Sequence, residues 1–239
     1  MSHYPVSPLP VRGERPARIL DAAVTLLLRW GYGRVTMDDI AVEAAVGTGT
    51  IYLHWKTKEA LFESVLLREL HTLWGELAQR IREAPSDVLL HRCLPTLLRA
   101  VKERPLARAL FTRDISLLGK LTQGRLAQQS QQLFGADTFL TTLRQLGLMR
   151  ADVALEVQAH AFSAIWTGFV LAPMVVRPAD QPELTIQLEA LAQTIRRTFE
   201  PDTLPDLVTL REEVAPRIIA LFEQARDQLA EQVAARIIG

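Results

Sequence analysis

Apolar residues recur every three or four positions along most of this chain, the spacing of one helix face, and no run shows the two-residue alternation of a strand. Ile19, Ala22, Ala23, Leu26, Leu27 and Trp30 form the first such face, beginning after Pro16 and stopping at Gly31. Thr36 stands three residues before Asp39. In that spacing a hydroxyl caps a free backbone N–H and the acid favours the positive helix end, so a short second helix is predicted over 36–44. The break Val46-Gly47-Thr48-Gly49 separates it from a third helix ending near His54. Thr57 as cap and Glu59 in the first turn open a long fourth helix, whose stripe of Leu61, Val65, Leu66 and Leu70 continues past Trp74 towards Ile81.

Further helices are predicted over 86–103, 105–117, 122–147, 152–176 and 183–199, making the fold all-α. Pro201 and Pro205 mark a loop, and Pro216 fits the first turn of a closing helix. Its apolar face, Ile218, Phe222, Ala225, Leu229, Val233 and Ile237, needs a partner surface on its own domain or on a second subunit. Residues 1–15, with Pro5, Pro8 and Pro10 and no periodicity, read as a flexible arm. The most apolar stretch, 161–176, is interrupted by Ser163, Thr167, Gly168 and Pro173 and is shorter than the roughly 20 residues of a membrane span, so it reads as a buried helix.

Composition narrows function mainly by exclusion. The 239 residues are 49% hydrophobic, and 27 basic side chains balance 27 acidic ones, so no global field points to nucleic acid or membrane. The lone Cys93 excludes an internal disulfide framework and is expected to be a small core residue. The opening residues lack a secretion signal, which leads to the expectation of a cytoplasmic protein. Zinc-spaced Cys/His sets, a Gly-rich phosphate loop and a nucleophile motif are not found, so neither metal, cofactor nor enzyme activity is expected. Glu156 and His160 share a helix face, where a local hydrogen bond is a simpler reading than a metal site.

The constellation that carries function is "IAVEAAVGTGTIYLHW", Ile40 to Trp55. Two short helices about a tight turn, both leaning on the first helix, form a helix-turn-helix whose second member faces the DNA major groove. Val46, Ile51 and Trp55 would point inward, leaving Thr48, Thr50, Tyr52, Leu53 and His54 for outward or rim positions. A plain helical hairpin within a bundle would share the spacing, but not the residue identities that follow.

Ile40, Ala41, Ala44, Val46, Gly49, Thr50, Ile51, Tyr52, His54, Lys58, Glu59 and Leu61 resemble the helix-turn-helix of the TetR family of transcriptional regulators, over about residues 16–65. The resemblance implies an N-terminal DNA-binding domain at 16–60 and a helical-bundle effector and dimerisation domain at 61–239. It implies a homodimer, joined by the late helices near 152–176 and 183–199, on a double-stranded DNA operator. It further implies that Tyr52, His54 and Lys58 bind phosphates, that Thr36 anchors the second helix to a phosphate, and that Thr48, Thr50 and Leu53 reach bases or nearby backbone. The chain departs from the pattern at three positions. Ala45 replaces the turn glycine, at about 1 kcal/mol if its backbone is left-handed. Gly47 replaces the capping serine, and Trp55 replaces phenylalanine.

Without Arg, Asn or Gln on the third helix, base reading falls to threonine and Leu53 contacts with thymine methyls and to DNA shape. Residues 1–60 carry seven cations and six acids, a net +1, so basic contacts must come from local placement. Arg12, Arg15 and Arg18 of the arm could enter a minor groove, with Lys56 and Lys58 beside the third helix. For a small-molecule effector, a largely hydrophobic cavity between helices would draw on Cys93, Phe111, Phe134, His160, Phe162, Trp166 and Phe169; plain core is the alternative for each. A helical enzyme or an adaptor on a repurposed regulator fold is the competing function.

Overall fold

The computed structural model describes residues 14–123 and 136–237. Among these, every regular element is helical. The chain divides into two compact units, one built from Met1–Gly75, Pro105–Gln128 and Glu223–Gly239, the other from Glu76–Arg104 and Gln129–Phe222. The 1–15 arm, apart from Glu14 and Arg15, lies outside the described residues, as do Phe134 and half of the helix expected over 122–147.

The first unit begins with α1 (Glu14–Trp30), α2 (Met37–Glu43), α3 (Thr48–His54) and α4 (Lys58–Glu83). Ile19, Leu20, Ala23, Leu26 and Leu27 put one face of α1 into the core, each large side chain contributing about 1.5–3 kcal/mol of burial. Trp30, expected on that face, falls beyond it and is 37% exposed, with the Arg29 guanidinium 5.6 Å from its ring centroid. Gly31 closes the helix at φ 75°, and a Cβ there would stand 2.9 Å from the Ser116 carbonyl oxygen, so glycine is required twice over.

That close approach belongs to the segment 105–123. A single helix is expected over 105–117; the structure instead shows α6 (Pro105–Thr112) and a one-turn α7 (Ile115–Leu118). Arg113 takes φ 51° between them, and the Asp114 carboxylate accepts from the N–H groups of Ser116 and Leu117, restarting the helix. The Tyr32 N–H donates to the Leu117 carbonyl at 2.7 Å, tying this segment to the end of α1.

Helix α4 carries more than an apolar stripe. Ser64, Arg68, Glu69, His71 and Thr72 are buried alongside Leu61, Val65, Leu66 and Leu70, so from Ser64 to Trp74 the helix is enclosed on every side, while Lys58, Glu59, Ala60 and Glu63 are half-buried. Arg68 meets Asp21 of α1 at 2.8 Å.

The second unit packs α5 (Leu90–Glu103) along α10 (Leu184–Phe199), with α8 (Ala136–Gln145) against α9 (Leu155–Val175). The helix expected from 86 starts instead as a separate turn over Pro85–Val88. Asp87 in that turn is buried between Arg80 and Arg92, each at 2.7 Å. Glu200, with a fully buried side chain, accepts from the His91 N–H at 2.9 Å and lies 2.6 Å from His91 Nδ1.

The closing helix α11 (Ala215–Arg236) follows a π-helical turn, Leu210–Val214, in which the Ala215 N–H reaches the Leu210 carbonyl. Pro216 has no N–H to give, and the widened turn accommodates it. Ile218, Phe222, Leu229 and Val233 are buried within the chain itself, which answers where this face finds its partner surface. In the first unit Arg236 Nε pairs with Glu63 at 2.7 Å.

Candidate nucleic-acid interface

The site is a short helix held from behind. Ile51 and Trp55 are fully buried, as expected, and Val46 is half-buried. The Trp55 indole N–H donates to Ser64 Oγ at 3.0 Å, and Ser64 in turn donates to the Ala60 carbonyl at 2.8 Å. Tryptophan in place of phenylalanine therefore comes with a buried hydroxyl on α4 that satisfies its extra donor. Sequence spacing gave no signal for this pair, nine residues apart on different helices.

Thr36 forms a full capping box. Its hydroxyl accepts from the Asp39 N–H at 3.1 Å, and the Asp39 carboxylate accepts from the Thr36 N–H at 2.8 Å and from its hydroxyl at 2.6 Å. Hydrogen bonds from Thr36 hold the Asp39 carboxyl below its ordinary range, so it stays ionised at this helix start.

The turn between α2 and α3 is a Schellman motif. The Val46 N–H reaches the Ala41 carbonyl at 3.0 Å and the Ala45 N–H reaches that of Val42 at 3.1 Å. Ala45 has φ 52°, the left-handed geometry in which alanine costs about 1 kcal/mol relative to glycine. Gly47 caps α3 without a side-chain bond. Thr48, predicted to reach DNA, donates to Asp38 Oδ1 of α2 at 2.6 Å, a link that fixes the two helices to each other.

Outward from this frame stand Tyr52, 49% exposed, and Leu53, 69% exposed. Thr50 and His54 are half-exposed beside them, the His54 ring 5.7 Å from that of Trp55. Lys58 Nζ lies 4.2 Å from the centroid of the Tyr32 ring, a cation–π contact. Burial lowers the Lys58 pKa, with nearby Lys120 adding to the effect and Glu59 and Asp39 opposing it. Lys120 pairs with Glu59, and that hydrogen bond depresses the Glu59 carboxyl. Lys56 is exposed. These positions bring hydroxyl, phenol, imidazole and ammonium groups to one surface around α3, the donor types that meet phosphate oxygens.

The residues considered for an effector are less coherent. Cys93 is buried, and burial pushes its thiol up to about 12, the inert state of a core cysteine. Phe162 is buried edge-on to Phe199 at 5.9 Å, and Trp166 and Phe169 are half-buried on the same helix. His160 is exposed, as is Glu156, with no hydrogen bond between them. Phe111 belongs to the first unit, half-buried. No group of described residues could hold a metal ion, and no described helix is long and apolar enough to cross a membrane.

Comparison with known proteins follows the same division. A family model for bacterial regulatory proteins of the tetR family matches residues 19–65. The HTH-type transcriptional repressor KstR of Rhodococcus jostii (strain RHA1) is 34% identical over 189 residues, covering 73% of this chain and 82% of that protein. The uncharacterised HTH-type regulator YhgD of Bacillus subtilis (strain 168) is 34% identical over 109 residues, a match spanning about half of its length, 55%. The crystal structure of FadR from Bacillus subtilis in complex with stearoyl-CoA superposes with a TM-score of 0.56 over 75% of this chain and 96% of FadR. At 18% identity that likeness speaks for the fold. A helix-turn-helix on a rigid backing, matched by the family model and continued in the 34% identity to KstR over most of both chains, places this chain in the tetR family of bacterial regulatory proteins, as a DNA-binding transcriptional regulator.

Proposed function

We propose that the protein is a cytoplasmic, non-enzymatic repressor that binds a palindromic operator as a homodimer and is released by a small, largely hydrophobic effector. The observation that carries the reading is the contrast across α3, where Ile51 and Trp55 are fully buried while Tyr52 and Leu53 project. Tyr52, His54 and Lys58 serve as phosphate ligands, and Thr50 and Leu53 reach bases. Thr36 and Thr48 combine backbone proximity with the capping and bridging bonds that aim α2 and α3. In this division residues 16–60 read DNA, and 61–239 take the effector and dimerise.

A dimer is supported by exposed apolar side chains on the late helices, Val157, Met174 and Val175 on α9 and Ile186 on α10. Two α3 helices related by a two-fold axis double the bases read. Repression is supported by the name KstR carries, and an acyl ligand by the stearoyl-CoA in the FadR structure. Phe162, Trp166 and Phe169 are the aromatic candidates for such a site. An effector that favours a conformation with badly spaced α3 helices weakens operator binding, and by linkage the operator weakens effector binding equally. Helix α4, continuous from Lys58 to Glu83, is the natural lever.

Selection of bound duplexes from a random-sequence library tests this reading. It predicts enrichment of an inverted repeat with half-sites one helical turn apart, or a multiple of it. Enrichment of a single half-site, or of nothing, would sink the dimeric operator.

A further inference from the structure

The helix-turn-helix is short of positive charge. Residues 16–60 hold five basic and five acidic side chains, so the segment is neutral. Proteins gain affinity for DNA from cations set against phosphates, and a cation brought to this surface from elsewhere in the chain therefore changes the balance.

The fold brings one. Lys120 lies far beyond the helix-turn-helix in sequence, in the turn Gly119–Gln123 that follows α7, yet belongs to the same compact unit. Three close approaches to the end of α1 fix its place. The Tyr32 N–H donates to the Leu117 carbonyl at 2.7 Å, and a Cβ on Gly31 would stand 2.9 Å from the Ser116 carbonyl oxygen. Gly119, at φ 53°, lies so near the Tyr32 ring that a Cβ there would be 3.2 Å from Tyr32 Cδ1. Lys120 follows directly, with Nζ 5.9 Å from the ring centroid, where Lys58 Nζ stands at 4.2 Å. The ring is buried and packs edge-on to Phe62 at 5.3 Å, so the two ammonium groups share a fixed support. A DNA strand carries one phosphate per roughly 3.4 Å of helix axis, and two cations gathered at one ring meet the same or adjacent phosphates.

The pairing of Lys120 with Glu59 does not stand in the way. Their side chains are 63% and 41% exposed, and an ion pair so open to solvent contributes little to stability. It holds the ammonium beside Lys58 in the free protein and is readily exchanged for a phosphate, whose neutralisation releases counterions. We propose that Lys120 is a DNA phosphate ligand supplied from outside the helix-turn-helix, acting with Lys58 at the Tyr32 ring. This deepens the reading of the α3 surface as the DNA interface and rests on Lys58 lying at the phosphate backbone.

Affinities of the full chain for a selected operator and for an unrelated duplex, over a salt series and with melting temperatures alongside, test the assignment. Lys120→Gln should make the slope of log affinity against log salt shallower by about 0.9, the loss of one phosphate contact. It should weaken both duplexes by the same factor, because phosphate contacts carry no sequence information, and Lys120→Arg should retain the slope. Glu59→Gln should bind more tightly, since it frees Lys120, and adding Lys120→Gln to it should still remove the same slope. An unchanged slope in Lys120→Gln overturns the assignment. So does a slope change that vanishes in the Glu59→Gln background, which would leave Lys120 as a screen for Glu59 alone. Lys58→Gln separates the two readings: a normal loss there confines the failure to Lys120, whereas an unchanged slope in both variants removes the DNA face as well.

Discussion

Helices α3 and α9 both leave large side chains in solvent, yet they do so in opposite ways. The seven residues of α3 bury Ile51 and end on the fully buried Trp55, and what remains outside is a mixed polar and aromatic face. The 21 residues of α9 bury Gln158, Phe162 and Val170 and expose Val157, Met174 and Val175. A short helix cannot hold itself in water, so every bond that aims it comes from outside: Ser64 behind Trp55, Asp38 beside Thr48. A long apolar helix forms readily, and the use of its bare face is decided by what covers it. Exposure thus marks two kinds of surface, one suited to a charged polymer and one to another protein.

The comparison breaks most severely at the backing of α3. Trp55→Ala should cost about 3–5 kcal/mol in denaturant unfolding, because it opens a large void under the helix. On the other side, replacing Met174 and Val175 with glutamate should leave the fold intact, since both side chains are exposed. If α9 is the dimer face, sedimentation should show a shift to monomer, the buried charges costing several kcal/mol of association. An unchanged dimer would move the interface elsewhere.

Ser64→Ala should destabilise by about 1–3 kcal/mol by stranding the Trp55 indole N–H, and the double variant with Trp55→Phe should recover part of that loss. Ala45→Gly should stabilise by about 0.5–1 kcal/mol, relief of left-handed strain being partly offset by unfolded-chain entropy. A loss of stability there would show that the turn is relaxed as it stands.

Much of the α3 frame was legible in the sequence. The Thr36 and Asp39 spacing gave the capping box, the conditional cost of Ala45 is met at φ 52°, and Thr57 does cap α4, accepting from the Ala60 N–H at 3.1 Å. These are local features, settled within a few residues. What periodicity missed is non-local or reads as exceptions. The break at Arg113 and Asp114 lies inside an unbroken apolar rhythm, and the buried polar residues of α4 look like an ordinary solvent face until other helices enclose it. The Ser64 and Trp55 pair has the same character. For the effector, aromatic spacing on α9 picked out Phe162, Trp166 and Phe169 but not that Phe162 alone of the three is buried, which depends on its packing against Phe199.

The account stands or falls on α3 as the DNA-reading element. The direct measurement is the affinity of the wild type and Tyr52→Ala for a selected duplex across a salt series, with thermal unfolding of both. The account predicts binding that weakens as salt rises and falls at least about ten-fold in Tyr52→Ala, at an unchanged melting temperature. Equal affinity in the two proteins at every salt concentration would contradict it.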